Sequence, residues 1–101
     1  MKTREELVKL GIEGFKADEI MLLQEKMMEQ AVKFQFKKKD GTIRDAIGTL
    51  RRDKMVQEDG TLWEPIGESK PEPATIIRFF DCVAKAWRSF IATEFIGLVE
   101  A

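Results

Sequence analysis

The sequence predicts an α+β fold in which two short helices precede a small barrel of about five β-strands. Apolar residues recur at helical spacing before residue 30 and alternate with polar residues after it. An Asp40-Gly41 turn motif then separates two runs rich in aromatic and β-branched residues. Short strands at this spacing are typical of a closed or nearly closed barrel. We expect an N-terminal helical extension over residues 1–30 and the barrel over residues 31–101.

The composition is that of one small globular domain. The 101 residues are 44% hydrophobic and 35% charged, and the formal net charge of −1 predicts neither nucleic-acid nor membrane binding. Cys82 is the only cysteine and histidine is absent, so an internal disulfide is excluded and the commonest metal ligand is missing. The sequence shows no signal-peptide core and no apolar run of transmembrane length. We expect a cytoplasmic protein without metal, cofactor or membrane partner.

The first thirty residues predict two helices. Thr3 and Glu6 form the pattern of a capping box, and the helix they begin should stop at a glycine near residue 11 or 14. A second helix should run from residue 17 or 18 to about residue 30, with acidic residues in its first turn. Its methionines suit either an adaptable binding surface or the core, and we favour the core. The apolar stripe consists of Ile20, Leu23 and Met27, widened by Met21 and Met28.

Residues 31–50 predict a β-hairpin with two open registers. A two-residue turn would pair Phe34 with Ile47, so that aromatic rings and isoleucines share the core face while the cations share the outer face. A three-residue turn would instead place the small residues Ala46 and Gly48 opposite the aromatic rings and turn the isoleucines outward. We favour the two-residue turn because it buries more apolar area, although it directs Asp45 inward.

The rest of the chain predicts a loop followed by three strands. Residues 51–74 should form a long loop, with a short strand at residues 61–63. Strands are then expected at residues 75–80, 86–91 and 95–99, with turns at 81–85 and 92–94. Charge changes sign along this region. Residues 31–54 hold eight Lys and Arg against three Asp, whereas residues 55–74 hold five acids against one lysine.

Four motifs within residues 31–101 carry a resemblance to a known family: Lys38-Lys39-Asp40-Gly41-Thr42-Ile43-Arg44, Gly48-Thr49-Leu50, Phe80-Asp81 and Trp87-Arg88-Ser89-Phe90. In this combination the chain resembles the WYL-like family of Sm-like, SH3-type β-barrel proteins, which are small, uncharacterised and frequent in Bacteroides-type bacteria and their phages. The resemblance implies a strongly bent, five-stranded SH3/Sm-like barrel. It implies no catalytic residues, and the wider relatives bind nucleic acid or small regulatory ligands.

Cations of the hairpin and of two later strands are the candidate nucleic-acid-binding residues. On one face they could follow the phosphates of a single strand, as in other small barrels. The alternative, which we favour, is a solvated strand face whose lysines prevent edge-to-edge association. Arg78 and Arg88 would add to a positive surface if both faced outward. The full set is Lys33, Lys37, Lys39, Arg44, Arg78 and Arg88.

Two tryptophans are candidate interaction residues. Trp87, beside Arg88, is compatible with stacking on a base or a ligand ring, although a core position is the preferred interpretation. Trp63 in the polar loop is either an interface anchor or a plug for one end of the barrel, and both interpretations stay open.

The sequence therefore predicts a small non-enzymatic binding or regulatory module. Cys82 has no histidine partner and the carboxylates show no paired spacing, so we expect no catalytic residue. One hypothesis is single-stranded nucleic-acid binding through the basic hairpin. The alternative is a protein partner or homo-oligomer, bound through the N-terminal helices, Trp63 or an edge of the barrel.

Overall fold

The computed structural model describes residues 2–51 and 73–99. The predicted α+β class is confirmed within these ranges. Trp63 and the short strand expected at residues 61–63 lie outside the described residues. In chain order the elements are α1 (Arg4–Lys9), α2 (Gly14–Glu29), β1 (Val32–Lys37), β2 (Ile43–Thr49), β3 (Ile76–Asp81), β4 (Ala86–Ile91), a 3₁₀ turn (Ala92–Glu94) and β5 (Phe95–Leu98).

The N-terminal helices follow the predicted pattern with one shift. The capping box of Thr3 and Glu6 is present. α1 ends at Lys9 and is followed by Gly11, whose φ of +89° suits a residue without a side chain. The prediction for the start of α2, at residue 17 or 18, was three or four residues too late, because the helix begins at Gly14 and the Ala17 N–H already donates to the Glu13 carbonyl oxygen. No acidic residue therefore lies in its first turn.

The five strands form one antiparallel sheet in the order β4-β3-β2-β1-β5. β4 and β5 lie at the two edges of this order. The pairings recorded for residues 2–51 and 73–99 do not join these edges, so the five strands are confirmed while closure into a barrel stays a prediction. The division at residue 30 into extension and barrel also stays a prediction.

The favoured register of the β1–β2 hairpin is wrong. β1 pairs Phe34 with Ala46, and the turn is the three-residue form that ends at Gly41, whose φ is +89°. The Gly41 N–H donates to the Lys38 carbonyl oxygen at 2.9 Å. The isoleucines therefore leave the core face, and Ile43 is 64% exposed. Burial of apolar area does not decide the register, because the aromatic rings need the space that small residues leave.

A cluster of phenylalanine rings lies on the core face of the sheet. Phe34 lies at its centre and meets the ring of Phe79 edge-on, with centroids 5.1 Å apart and planes at 81°. The helices cover this cluster, and Met27 is fully buried while Met28 is exposed, so α2 contributes to the core as the preferred interpretation expects. The other core side chains include Phe36, Phe90, Phe95, Leu7, Ala17, Ile20 and Leu23.

Side-chain hydrogen bonds join α2 to the central strand β2 and to the edge strand β5. The buried Thr49 hydroxyl donates to the Met27 carbonyl oxygen at 3.1 Å, where α2 ends. In the first half of α2, Glu19 accepts a hydrogen bond from the Leu98 N–H at 2.9 Å, and Lys16 donates to the Ile96 carbonyl oxygen. Two backbone groups of the edge strand β5 are thus bonded to α2, which reduces the capacity of this edge to pair with another chain.

Candidate functional site

An open cleft of 730 Å³ lies between the turn of the β1–β2 hairpin and β4. We refer to it as the basic cleft because five cations and a single carboxylate, that of Asp40, line it. Aromatic residues of β1 and β4 complete its walls. The cations are Lys37, Lys38, Lys39, Arg44 and Arg88, and the aromatic residues are Phe36, Trp87 and Phe90.

Strand register brings the two arginines to this cleft from the core face of the sheet. Arg44 of β2 lies opposite Phe36 of β1, and Arg88 of β4 lies opposite Phe79 of β3. Directly opposed residues of antiparallel strands share a face, so both arginines belong to the face that carries the phenylalanine rings. The expectation that Arg44 shares the outer face with the lysines is therefore wrong, as a consequence of the three-residue turn.

Asp81 joins these arginines at the end of β3. Its carboxylate is 2% exposed, and its Oδ2 accepts a hydrogen bond from Arg44 Nη2 at 2.7 Å while Arg88 Nε lies 4.0 Å away. The other oxygen, Oδ1, accepts from the N–H groups of Val83 and Ala84 at 2.9 and 3.0 Å. One buried carboxylate thus fixes both the β3–β4 turn and the position of a guanidinium, as a buried charge requires.

Asp40 organises the hairpin turn that carries the lysines. Its Oδ1 accepts hydrogen bonds from the Thr42 hydroxyl at 2.7 Å and from the Thr42 N–H at 3.0 Å. These two bonds, with a smaller effect of the Lys38 charge, hold the pKa of Asp40 below its ordinary value. The three lysines beside it, at positions 37–39, are exposed.

The aromatic residues differ in what they present to a ligand. Phe36 and Phe90 are stacked with centroids 5.2 Å apart and planes at 21°, and both are buried. Trp87 is half-buried and packs edge-on against Phe80, with ring centroids 6.0 Å apart. Its burial is thus intermediate between that of a core residue and that of an exposed stacking residue, the two interpretations given for it from the sequence. Its indole Nε1 is buried without a hydrogen-bond partner among the described residues.

Not all predicted site residues meet in the basic cleft. It gathers Lys37, Lys39, Arg44, Arg88 and Trp87. Lys33 lies on the outer face of β1, opposite Ile47, and lines other grooves of the surface. Arg78 is half-buried and faces away from Arg88, because neighbouring residues of a strand alternate between faces and Arg78 pairs with Ser89.

The predicted site residues leave out several residues of the cleft and its surroundings, among them Lys38 and Asp81. Lys38 stands in the basic run, so composition alone could have added it. Asp81 was noted only as part of the Phe80-Asp81 motif. Its hydrogen bond to Arg44 spans 37 positions, and nothing local in the sequence indicates that partner.

The five-stranded antiparallel sheet, its covering helix and the exposed cleft define a small Sm-like, SH3-type domain. This fold is typically that of a non-enzymatic binding module. The family model WYL_2, described as an Sm-like SH3 beta-barrel fold, matches residues 20–96, and the chain belongs to this family. The match begins inside α2, earlier than the resemblance at residues 31–101 indicates. It carries no phage or Bacteroides context, which stays a prediction.

The searches of curated proteins and of solved structures find no match. Within residues 2–51 and 73–99, the structure contains no helix that is both long and apolar enough to cross a membrane. The same part of the chain has no group of three or more His, Cys, Asp or Glu side chains arranged to hold a metal ion.

Proposed function

We propose that this protein is a non-enzymatic module that binds single-stranded nucleic acid in the basic cleft. The observation that carries the proposal is a cleft lined by five cations, against the carboxylates of Asp40 in its lining and of Asp81 beside two of its arginines, in a chain whose net charge is −1. A solvated face for edge protection does not require cations from the hairpin turn, from β2 and from β4 to line the same cleft. Such a concentration is the electrostatic footprint of a phosphate-binding surface.

The lysines and the arginines of the cleft differ in how their side chains are held, and we expect them to contribute differently to binding. The lysines at positions 37–39 are exposed, so they can neutralise phosphates without a fixed geometry. Arg44 is half-buried and Arg88 is exposed, with side-chain exposures of 32% and 48%, and both guanidiniums lie beside the Asp81 carboxylate. Release of counterions from the bound strand would then supply much of the affinity, and binding would weaken steeply as salt is added.

Aromatic residues in the wall favour a single strand over a duplex. The bases of a single strand are unpaired and can stack on side chains, whereas those of a duplex are already stacked within the helix. Trp87 lines the cleft and is half-buried, and its side chain lies on the face of β4 that carries Ser89, opposite to the face of Arg88. We therefore expect modest sequence preference and a marked preference for unpaired strands.

Paired charge reversals on the hairpin and away from it test the proposal. Fluorescence anisotropy of a labelled random oligonucleotide at low salt should show binding that is lost in the Lys37→Glu, Lys39→Glu double variant. The matched control is Lys26→Glu with Lys33→Glu, which changes the net charge equally but leaves the cleft intact. Equal loss in both variants, or no binding by the unaltered protein in low salt, contradicts the proposal.

A protein partner is the second candidate, and exposed apolar residues on α2 favour it. Phe15 is 65% and Leu22 is 42% exposed, and seven positions separate them, so they lie on one side of the helix. Light scattering at rising concentration tests its self-association form. A second copy bound here would raise the mass of the unaltered protein but not that of a Phe15→Ser, Leu22→Ser variant. A constant monomer mass contradicts self-association.

A further inference from the structure

The Asp81 carboxylate is shared unequally between two arginines. Its Oδ2 lies 2.7 Å from Arg44 Nη2, which is hydrogen-bond distance, and 4.0 Å from Arg88 Nε, which is too long for a hydrogen bond. Each guanidinium has five N–H donors, so Asp81 engages a small part of those available. Both arginines also line the basic cleft, where the unused donors can reach a ligand.

Charge makes this cluster suitable for one particular group. A single carboxylate between two guanidiniums leaves one unit of positive charge, which equals in magnitude the charge of a phosphodiester. The carboxylate itself is 2% exposed and cannot turn into solvent to escape the arginines. It is also bonded through Oδ1 to Val83 and Ala84, so the β3–β4 turn determines where it lies.

We propose that Arg44 and Arg88 form a site for one phosphate group and that Asp81 is the positioning residue of this site. The proposal rests on the proposed function, since the phosphate belongs to the bound strand. The lysines of the hairpin turn give general attraction. The arginine pair fixes one phosphate, and hence the path of the strand through the cleft, because guanidiniums bind phosphate oxygens through parallel N–H donors.

An Asp81→Asn variant separates positioning from simple neutralisation. The substitution removes a negative charge that lies beside the arginines of the cleft, so electrostatics alone predicts tighter binding. If Asp81 positions the arginines, oligonucleotide binding instead weakens by about tenfold. The dependence of log Kd on log salt then becomes shallower by roughly 0.7 for each phosphate that the variant no longer neutralises. Tighter binding with an unchanged or steeper salt dependence overturns the proposal.

Asp45→Asn is the matched control. It removes the same charge from β2, but Asp45 is exposed and its Oδ1 accepts from Gln35 Nε2 outside the basic cleft. We expect its affinity to equal that of the unaltered protein or to rise slightly. A decrease equal to that of Asp81→Asn would show that the effect is not specific to the arginine site.

A titration of the unaltered protein with inorganic phosphate tests the site without any substitution. The Nε–Hε resonances of Arg44 and Arg88 should shift together, while that of Arg4, on α1, should not move. Joint shifts in a protein that binds no oligonucleotide would retain the phosphate site and refute the proposed function. Oligonucleotide binding without any shift of either arginine on addition of phosphate would overturn the site and leave the proposed function in place.

Discussion

Gly48 lies so close to Phe79 that no side chain fits between them. A Cβ added at position 48 would lie 2.6 Å from Cδ2 of Phe79 and 3.0 Å from Cε1 of Phe34. Gly48 therefore leaves the space in which these two rings meet, and neighbouring Ala46 extends it on the same face. The three-residue hairpin turn follows from this requirement, since the other register would bring Ile47 opposite Phe34.

Substitution of Gly48 by alanine should destabilise the protein by about 1–3 kcal/mol, because the added methyl group forces the rings apart. Gly14→Ala is the control, since the nearest atom there is the flexible Nη2 of Arg4 at 3.0 Å. We expect this control to change the free energy of unfolding by less than about 0.5 kcal/mol. Urea denaturation measures both variants. Equal effects would contradict the packing role assigned to Gly48.

The turn that presents the lysines should depend on Gly41. Its φ of +89° is unfavourable for any residue with a Cβ, so Gly41→Ala should cost about 1–2 kcal/mol in unfolding free energy. Gly41→Asn should cost less, since asparagine tolerates positive φ better. Thermal or urea denaturation gives the comparison. An alanine variant as stable as the unaltered protein would argue for a different turn.

The turn should also weaken in acid through Asp40. Its pKa is lowered in the folded state mainly by the hydrogen bonds from Thr42. The stability that this provides is therefore present above the ordinary aspartate pKa and is lost as the pH falls through the lowered value. Carbon-detected NMR titration should show the Asp40 pKa rising toward its ordinary value in Thr42→Val. An unchanged Asp40 pKa in that variant would contradict the assigned cause.

Gln24 should anchor the N-terminus of the chain. Its buried side chain accepts from the Lys2 N–H at 3.0 Å and donates to the Lys2 carbonyl oxygen at 2.9 Å. Gln24→Leu leaves both backbone groups without these partners and should cost about 1–3 kcal/mol in unfolding free energy. Gln35→Leu, which removes an exposed hydrogen bond to Asp45, should cost less. Equal decreases in the free energy of unfolding, measured by urea denaturation, would show that burial of the Lys2 hydrogen bonds adds nothing to stability.

Most of the secondary structure follows from local sequence patterns. Thr3 and Glu6 mark a helix start, and the alternation of Val32, Phe34 and Phe36 marks a strand, because each pattern acts within a few residues. The hairpin register does not follow in this way. It depends on the Phe79 ring, which comes from a strand that is distant in sequence, so a count of buried apolar area within the hairpin favours the wrong pairing.

The candidate site was predictable in part. The basic run marks the lysines of the turn, because charge density is visible in sequence alone. The gathering of Arg44, Arg88 and Asp81 depends on register and on which face each strand turns to the core. Arg78 and Arg88 look equivalent in sequence but lie on opposite faces of their hairpin. A one-residue shift of register moves a side chain to the other face. A wrong register therefore also assigns the side chains of the site to the wrong face.

The most direct test of the account is to map a bound oligonucleotide on isotope-labelled protein by NMR. The account predicts that the largest shifts fall on Arg44, on Arg88 and on the lysines of the turn, and that they shrink as salt is added. The amides around Lys33 and Ile47, on the outer face of the hairpin, should not change. Shifts confined to that outer face, or no shifts at low salt, would contradict nucleic-acid binding in the basic cleft.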